Sequence, residues 1–523
     1  MKLPQWVSLG VWGLLATAMI TMAISNASDN QRASQTADGQ KPTDQWPMFG
    51  GTPDRNMVSA VKNITADFSF EEGERLLWTA QLGSQTYGNP ILAGGKVFVA
   101  TNNAAGYLEK YPGDQDKGVL ACFNAETGEF LWQLTRDKLE TGGENDWPLQ
   151  GICSSPIVEG DRLWVVTNRC ELLCLDVEGF RNGKNTGPYV DEVDQTELDA
   201  DIVWKLDMIK ELGVYPHHLA TSSPVVHGDA VFLLTSNGVN EAGTEVPAPD
   251  APSFLAVNKH TGQVLWQHNQ PGQNILDGQW ASPAVGIVNG KAHVYFPGGD
   301  GWLYAHDAES GEEVWRFDMN PKAAKWLGGG RGERNYMIAT PVFYQNSVLL
   351  AAGQEPEHGD GVSFLYRIDA TKTGDISGEL GEIGEPGQPN PNSGVIWAYG
   401  GFGEDEEPIF RRSIATVAIF ESMVFIPDFA GFVHCVNFET GKRHWEHDLM
   451  AHVWAAAVVA DGKVFVGNED GNLTIFKASG EEAEILNEIP TVNFNSIYSS
   501  PAFVNDKMYL TDRTKLYCIR IVE

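Results

Sequence analysis

Side chains able to do chemistry gather in a few stretches of this 523-residue sequence. In WLGGGRGERNYMIAT, residues 326–340, four glycines in five positions leave backbone N–H groups approachable, and Arg331 and Arg334 add fixed donors. With Lys322 and Lys325 just upstream, only Glu333 opposing, and Asn335 adding an amide, such a loop suits an anion. It lacks the GK[ST] ending of a nucleotide loop, and a mobile loop whose arginines pair with nearby acids is the alternative. Adjacent His217 and His218 can ligate a metal or be simply hydrogen-bonded. GQEPEHGDG, 353–361, offers Glu355, Glu357, His358 and Asp360, an oxygen-rich run without EF-hand spacing that reads either as a calcium loop or as plain surface. Asp277 and His452 lie in two further loops, while Trp147, Trp280 and Trp454 either line a binding mouth or cap packing.

The bulk numbers narrow the function classes. A formal charge of -33 opposes binding to nucleic acid or an anionic membrane, because affinity for a polyanion comes from Lys and Arg. There is no CxxCH, CxxC or HExxH, so covalent c-type haem and the common zinc motifs have no support. Lys2, an apolar stretch from Trp6 to Ile24 and then Ser25-Asn26-Ala27 read as a secretory signal over 1–27, with an uncleaved anchor as the alternative. No Cys follows to carry a lipid. Residues 28–44 are polar and read as a flexible tether. The expected location is periplasmic or secreted, with membrane contact only through an uncleaved signal.

The loops need a frame, and one recurring phrase supplies it. GGDGWLYAHDAESGEEVW at 298–315 returns as GVLACFNAETGEFLW at 118–132, SFLAVNKHTGQVLW at 253–266 and GFVHCVNFETGKRHW at 431–445. Around the first copy, strands are expected from Ser282, over Ala292 to Phe296, over Trp302 to Asp307 and over Glu312 to Phe317, each bounded by Gly or Pro turns. Asp307 can accept from turn N–H groups, and Gly311 supplies positive φ. Eight copies begin at Asn89-Pro90, Ser155-Pro156, Ser223-Pro224, Ser282-Pro283, Thr340-Pro341, Ala415-Thr416, Ala456-Ala457 and Ser500-Pro501. A closing Trp falls at 132, 204, 266, 315, 397 and 445, with Ile485 or Leu486 standing in for the seventh. The eighth copy ends after its third strand, while Trp78 in ERLLWTAQL closes a strand with nothing before it. Both anomalies vanish if 75–82 completes the last blade of a ring. The expectation is an all-β, eight-bladed propeller over 45–523 with four-stranded antiparallel blades.

The phrase resembles the tryptophan-docking repeat of the PQQ-type propellers, which include quinoprotein alcohol dehydrogenases and the outer-membrane assembly factor BamB. The resemblance covers nearly all of 75–523 and implies eight blades. It implies two functions. One is an exported BamB-like scaffold, a monomer that binds protein partners through its loop-rich face and needs no cofactor. The other is a PQQ- and calcium-dependent alcohol or sugar dehydrogenase, whose tricarboxylate quinone would look for positive charge at Lys322, Lys325, Arg331 and Arg334. The adjacent Cys-Cys pair found in several such dehydrogenases is absent here. The scaffold reading is preferred, because it requires only what the residues offer.

Up-and-down strand order puts the dressed loops 144–150, 210–219, 272–280, 321–338, 402–412 and 448–454 on one face. The opposite hairpins are short, apart from an acidic insertion at 179–201 that reads as a solvated flap. Cys122, Cys174, Cys435 and Cys518 align with Ala256 and Ala305 as small core residues. Cys153 and Cys170 flank one hairpin, and antiparallel pairing predicts a bridge between them, two buried thiols being the alternative.

Overall fold

Short apolar runs separated by tight turns fold here into antiparallel meanders, and the eight meanders are the blades of one ring. The structure is a computed structural model and describes residues 43–71 and 73–522. The expected signal, and the tether up to residue 42, lie outside the described residues. Blade 4 is representative, with strands Ala284–Val288, Lys291–Pro297, Trp302–Asp307 and Glu313–Asp318 paired in that order. Gly311 does adopt positive φ, and Asp307 accepts the Ser310 N–H. The ring closes as expected: Leu76–Gln81 pairs antiparallel with Lys515–Arg520 and completes blade 8.

The closing Trp of each blade packs against the turn of the next and donates its indole N–H to a carbonyl there. Trp78 reaches Ala125, Trp132 Val177, Trp204 Lys259, Trp266 Ala308, Trp315 Ala370, Trp397 Phe438 and Trp445 Ser479, at 2.7–3.3 Å. The turn glycine makes room, since a Cβ on Gly311 would sit 2.7 Å from the Trp266 ring. Opposite each Trp on the third strand stands the expected small residue, such as Cys122 or Ala305. Blade 5 departs from this with Arg367, whose guanidinium lies 3.6 Å over the Phe438 ring.

Blade 7 corrects one expectation. Neither Ile485 nor Leu486 takes the docking position, because a register shift after Ile475 places Asn487 there. Its amide donates to the Ala66 carbonyl at 2.8 Å. Blade 8 has no turn between its third and fourth strands, since these come from opposite chain ends. The segment around Ile64–Ala66, bridged to Val522, supplies the missing carbonyl.

Residues 43–61, which carry none of the repeat, lace the inner strands together. Thr43 accepts from Asn505 of blade 8, Trp46 bridges Leu92 of blade 1, and Pro47 accepts from Val158 of blade 2. Pro53 and Asp54 accept from blades 4 and 5, Asn56 exchanges two hydrogen bonds with Ile419 of blade 6, and Val58 pairs in parallel with Val459 of blade 7. Arg55 is fully buried and donates to carbonyls of Phe49, Ser223, Pro224 and Pro283, which ties in blade 3. Four carbonyl acceptors answer the polar edge of that guanidinium, as burial demands.

One expectation is refined and one corrected. The acidic insertion is exposed over most of 181–198, as a solvated segment should be, but it is tied down at its end: Asp199 pairs with Lys110 at 2.7 Å and bridges Gln133 on the outer strand of blade 1. Cys153 and Cys170 form no bridge, and all six cysteines are free thiols. Cys170 turns into the next blade, with Sγ 3.2 Å from the Thr235 carbonyl, while Cys153 faces the ring axis over the Gln150 carbonyl.

Candidate functional site

The inner strands begin around the ring axis, and their first residues form a collar. Ser155 N–H donates to Ser223 Oγ, Ser223 N–H to Ser282 Oγ, Ala456 N–H to Ser500 Oγ, and Ser500 N–H to Asn89 Oδ1, each at 2.7–3.0 Å. The Ser-Pro starts seen in the sequence are therefore blade-to-blade hydrogen bonds. Above the collar opens an axial funnel of about 350 Å³ with Phe49 from the lacing segment on its lining. Loops from the dressed face build its wall.

That wall is aromatic. Trp147, Trp280 and Trp454, named from sequence, all line it, joined by Tyr87 and Tyr498. Tyr87 and Tyr498 stack at 5.1 Å, and Trp454 packs on both. His218 lies edge-on to Trp147 at 4.8 Å, with Nδ1 2.8 Å from the Gly143 carbonyl. Burial lowers its pKa. His452 sits further out, stacked on Phe429 and 3.4 Å from Glu469.

One side of the wall holds a polar cluster drawn from several loops that the sequence keeps far apart. His217 Nε2 approaches Asp277 Oδ1 at 3.1 Å, and Tyr336 donates its hydroxyl to Asp277 Oδ2 at 3.0 Å. Tyr336 in turn accepts the Glu355 N–H, and His358 Nε2 lies 3.1 Å from Glu355 Oε1. Burial, with Asp277 and Glu357 adding repulsion, pushes the Glu355 carboxyl up to about 8. The sequence offered Glu355 and His358 together in one run, and His217 and Asp277 in two other loops. Nothing in their spacing joined the three loops, and Tyr336 was not singled out. Glu357 also lines the funnel, whereas Asp360 does not.

The glycine-rich loop departs from its expected role. Arg334 is buried in an ion pair with Asp318 at 3.1 Å, and Lys322 joins the same carboxylate at 2.8 Å. Arg331 and Glu333 are exposed, and Asn335 holds the loop by donating to Glu333 and Val362 carbonyls. Rather than presenting N–H groups to an anion, the loop turns its Gly330 and Gly332 carbonyls onto the Arg412 guanidinium. No Lys or Arg lines the funnel, while Glu355 and Glu357 do. A tricarboxylate quinone placed there would find no Lys or Arg to answer its charge, so the side chains present do not by themselves fit that group.

The comparisons agree with this architecture. No curated protein sequence matches the chain. Among solved structures, BamB from Moraxella catarrhalis superposes with a TM-score of 0.52 at 15% identity, covering 85% of this chain and 99% of its own. The quinohemoprotein alcohol dehydrogenase from Comamonas testosteroni gives 0.59 at 14% identity, covering 92% of this chain and 81% of its own. At such identities the likeness is one of fold, and fold alone does not fix function. The sequence also matches the family model described as outer membrane protein assembly factor BamB over residues 68–178, 115–286 and 388–522. Those segments span more than half of the chain, and this PQQ-like repeat propeller belongs to that family.

Proposed function

We propose that the chain is an exported binding module whose loop-rich face takes a segment of a partner protein into the axial funnel. The observation that carries this reading is the funnel's lining: six Phe, Tyr and Trp rings, two carboxylates and no Lys or Arg. Aromatic faces attract apolar and cationic groups, and the carboxylates add charge selection. The fitting partner is a segment that pairs Lys or Arg with apolar residues. Export rests on the reading of residues 1–27. The likeness to BamB supports a scaffold role, and the likeness to a quinohemoprotein alcohol dehydrogenase supplies the competing one.

Peptide binding to the mature chain tests this. Basic-apolar peptides should bind with an affinity that falls as salt rises, whereas their Lys/Arg→Glu counterparts should not bind. Trp147→Ala or Trp454→Ala should weaken binding, because a buried aromatic anchor commonly carries over about 2 kcal/mol. Equal binding of basic and acidic peptides would sink the idea. So would a melting-temperature rise with PQQ and calcium accompanied by alcohol-dependent dye reduction.

A further inference from the structure

We propose that Asp277, Glu355 and His358 form the binding site of a single divalent transition-metal ion in the funnel wall. One ligand atom from each lies within 4.8 Å of the others. The case rests on how the surrounding groups fix these side chains. His217 Nδ1 faces the Val239 carbonyl at 2.9 Å, and its Nε2 lies 3.1 Å from Asp277 Oδ1. Gln354 repeats the arrangement for His358. Its amide nitrogen donates to the Arg334 carbonyl and to Asn335 Oδ1, which turns its oxygen onto His358 Nδ1 at 3.1 Å. His358 Nε2 then lies 3.1 Å from Glu355 Oε1. With Gln354 fixing its ring, His358 thus converges with the carboxylates of Asp277 and Glu355 on one point of the wall.

The surroundings are those of ligands rather than of a surface cluster. A ligating histidine characteristically donates its other ring nitrogen to a fixed oxygen, and His358 does so to Gln354. Tyr336 orients Asp277 and holds the Glu355 backbone, so two ligands share one brace. His217 braces Asp277 from the other side. Asp277 is buried, while Glu355 lines the funnel, which leaves the ion approachable from that side. One imidazole with two carboxylates suits zinc, manganese or iron(II), and the nitrogen argues against calcium, which takes oxygen ligands. The inference goes beyond the binding reading, since a chain that captures no partner would still take up the ion.

Cobalt(II) serves as the probe, on tag-free mature chain stripped with chelator. One equivalent should bind with visible d–d absorption, raise the melting temperature by linkage, and be displaced by zinc but not by millimolar calcium. His358→Asn and Glu355→Gln should each weaken cobalt by more than about tenfold. Circular dichroism of both variants should match the parent, and Tyr336→Phe should weaken cobalt less than they do. Absence of the absorption in a folded parent chain would overturn the site. So would unchanged affinity in folded His358→Asn, or displacement by calcium.

Discussion

A buried indole N–H loses its water when blades dock, so the neighbour must offer an acceptor at a fixed point, and seven turn carbonyls do so here. Carboxylates in the hairpins between second and third strands play the reciprocal part. Asp300 accepts the Trp302 N–H at 3.1 Å and the Tyr304 hydroxyl at 2.7 Å. Burial nevertheless raises its pKa to about 7 from 3.8, the hydrogen bonds only partly opposing it. Between those two values the folded chain keeps a proton that the unfolded chain has released. Asp300 is thus most favourable to folding below about pH 4, and that contribution drains away as the pH climbs to 7. Asp300→Asn should flatten the melting-temperature profile between pH 4 and 7, which a thermal scan in a series of buffers will read.

At the scale of the element, the ring depends on a strand borrowed from the other end of the chain. A chain beginning at residue 84 should self-associate, while one beginning at 62 should not, because only the first leaves Lys515–Arg520 without its partner. Size-exclusion chromatography of the two distinguishes them. The borrowed strand was legible because Trp78 carries the repeat's signature where no repeat precedes it. The seventh docking position was not, because counting along the chain cannot see a bulge, and one residue of slip exchanges Ile485 for Asn487. The expected disulfide failed on direction rather than distance along the hairpin. Cys170 has positive φ at a turn, and its thiol leaves the blade. Of the funnel aromatics, Trp147, Trp280 and Trp454 were readable from the loops, whereas Phe49, Tyr87 and Tyr498 were not. The Asp277–Glu355–His358 cluster was not, since separate loops bring it together only when the ring is built.

At the scale of the whole molecule, residues 43–61 visit every blade while adding only one short parallel pairing to the ladder. Their sequence is aperiodic, so repeat analysis passed over them, although Arg55 is among the largest fully buried side chains. A chain beginning at 62 keeps all eight blades but strips acceptors from their inner strands and removes Phe49 from the funnel lining. It should melt at a lower temperature than the chain beginning at 43 and quench Trp280 fluorescence more readily with acrylamide. Equal melting and equal quenching would show the lacing to be dispensable.

The lace also fixes an order in time. Its partners run from Leu92 to Asn505, so residues 43–61 acquire their last contacts only after seven blades and part of the eighth have followed them from the ribosome. The strand Leu76–Gln81 that seals the ring waits longer still, because its partner Lys515–Arg520 is made after every other blade strand. Individual blades can form early as local meanders, but the assembly stays open until both partners are present. What precedes the blades along the chain is placed after them.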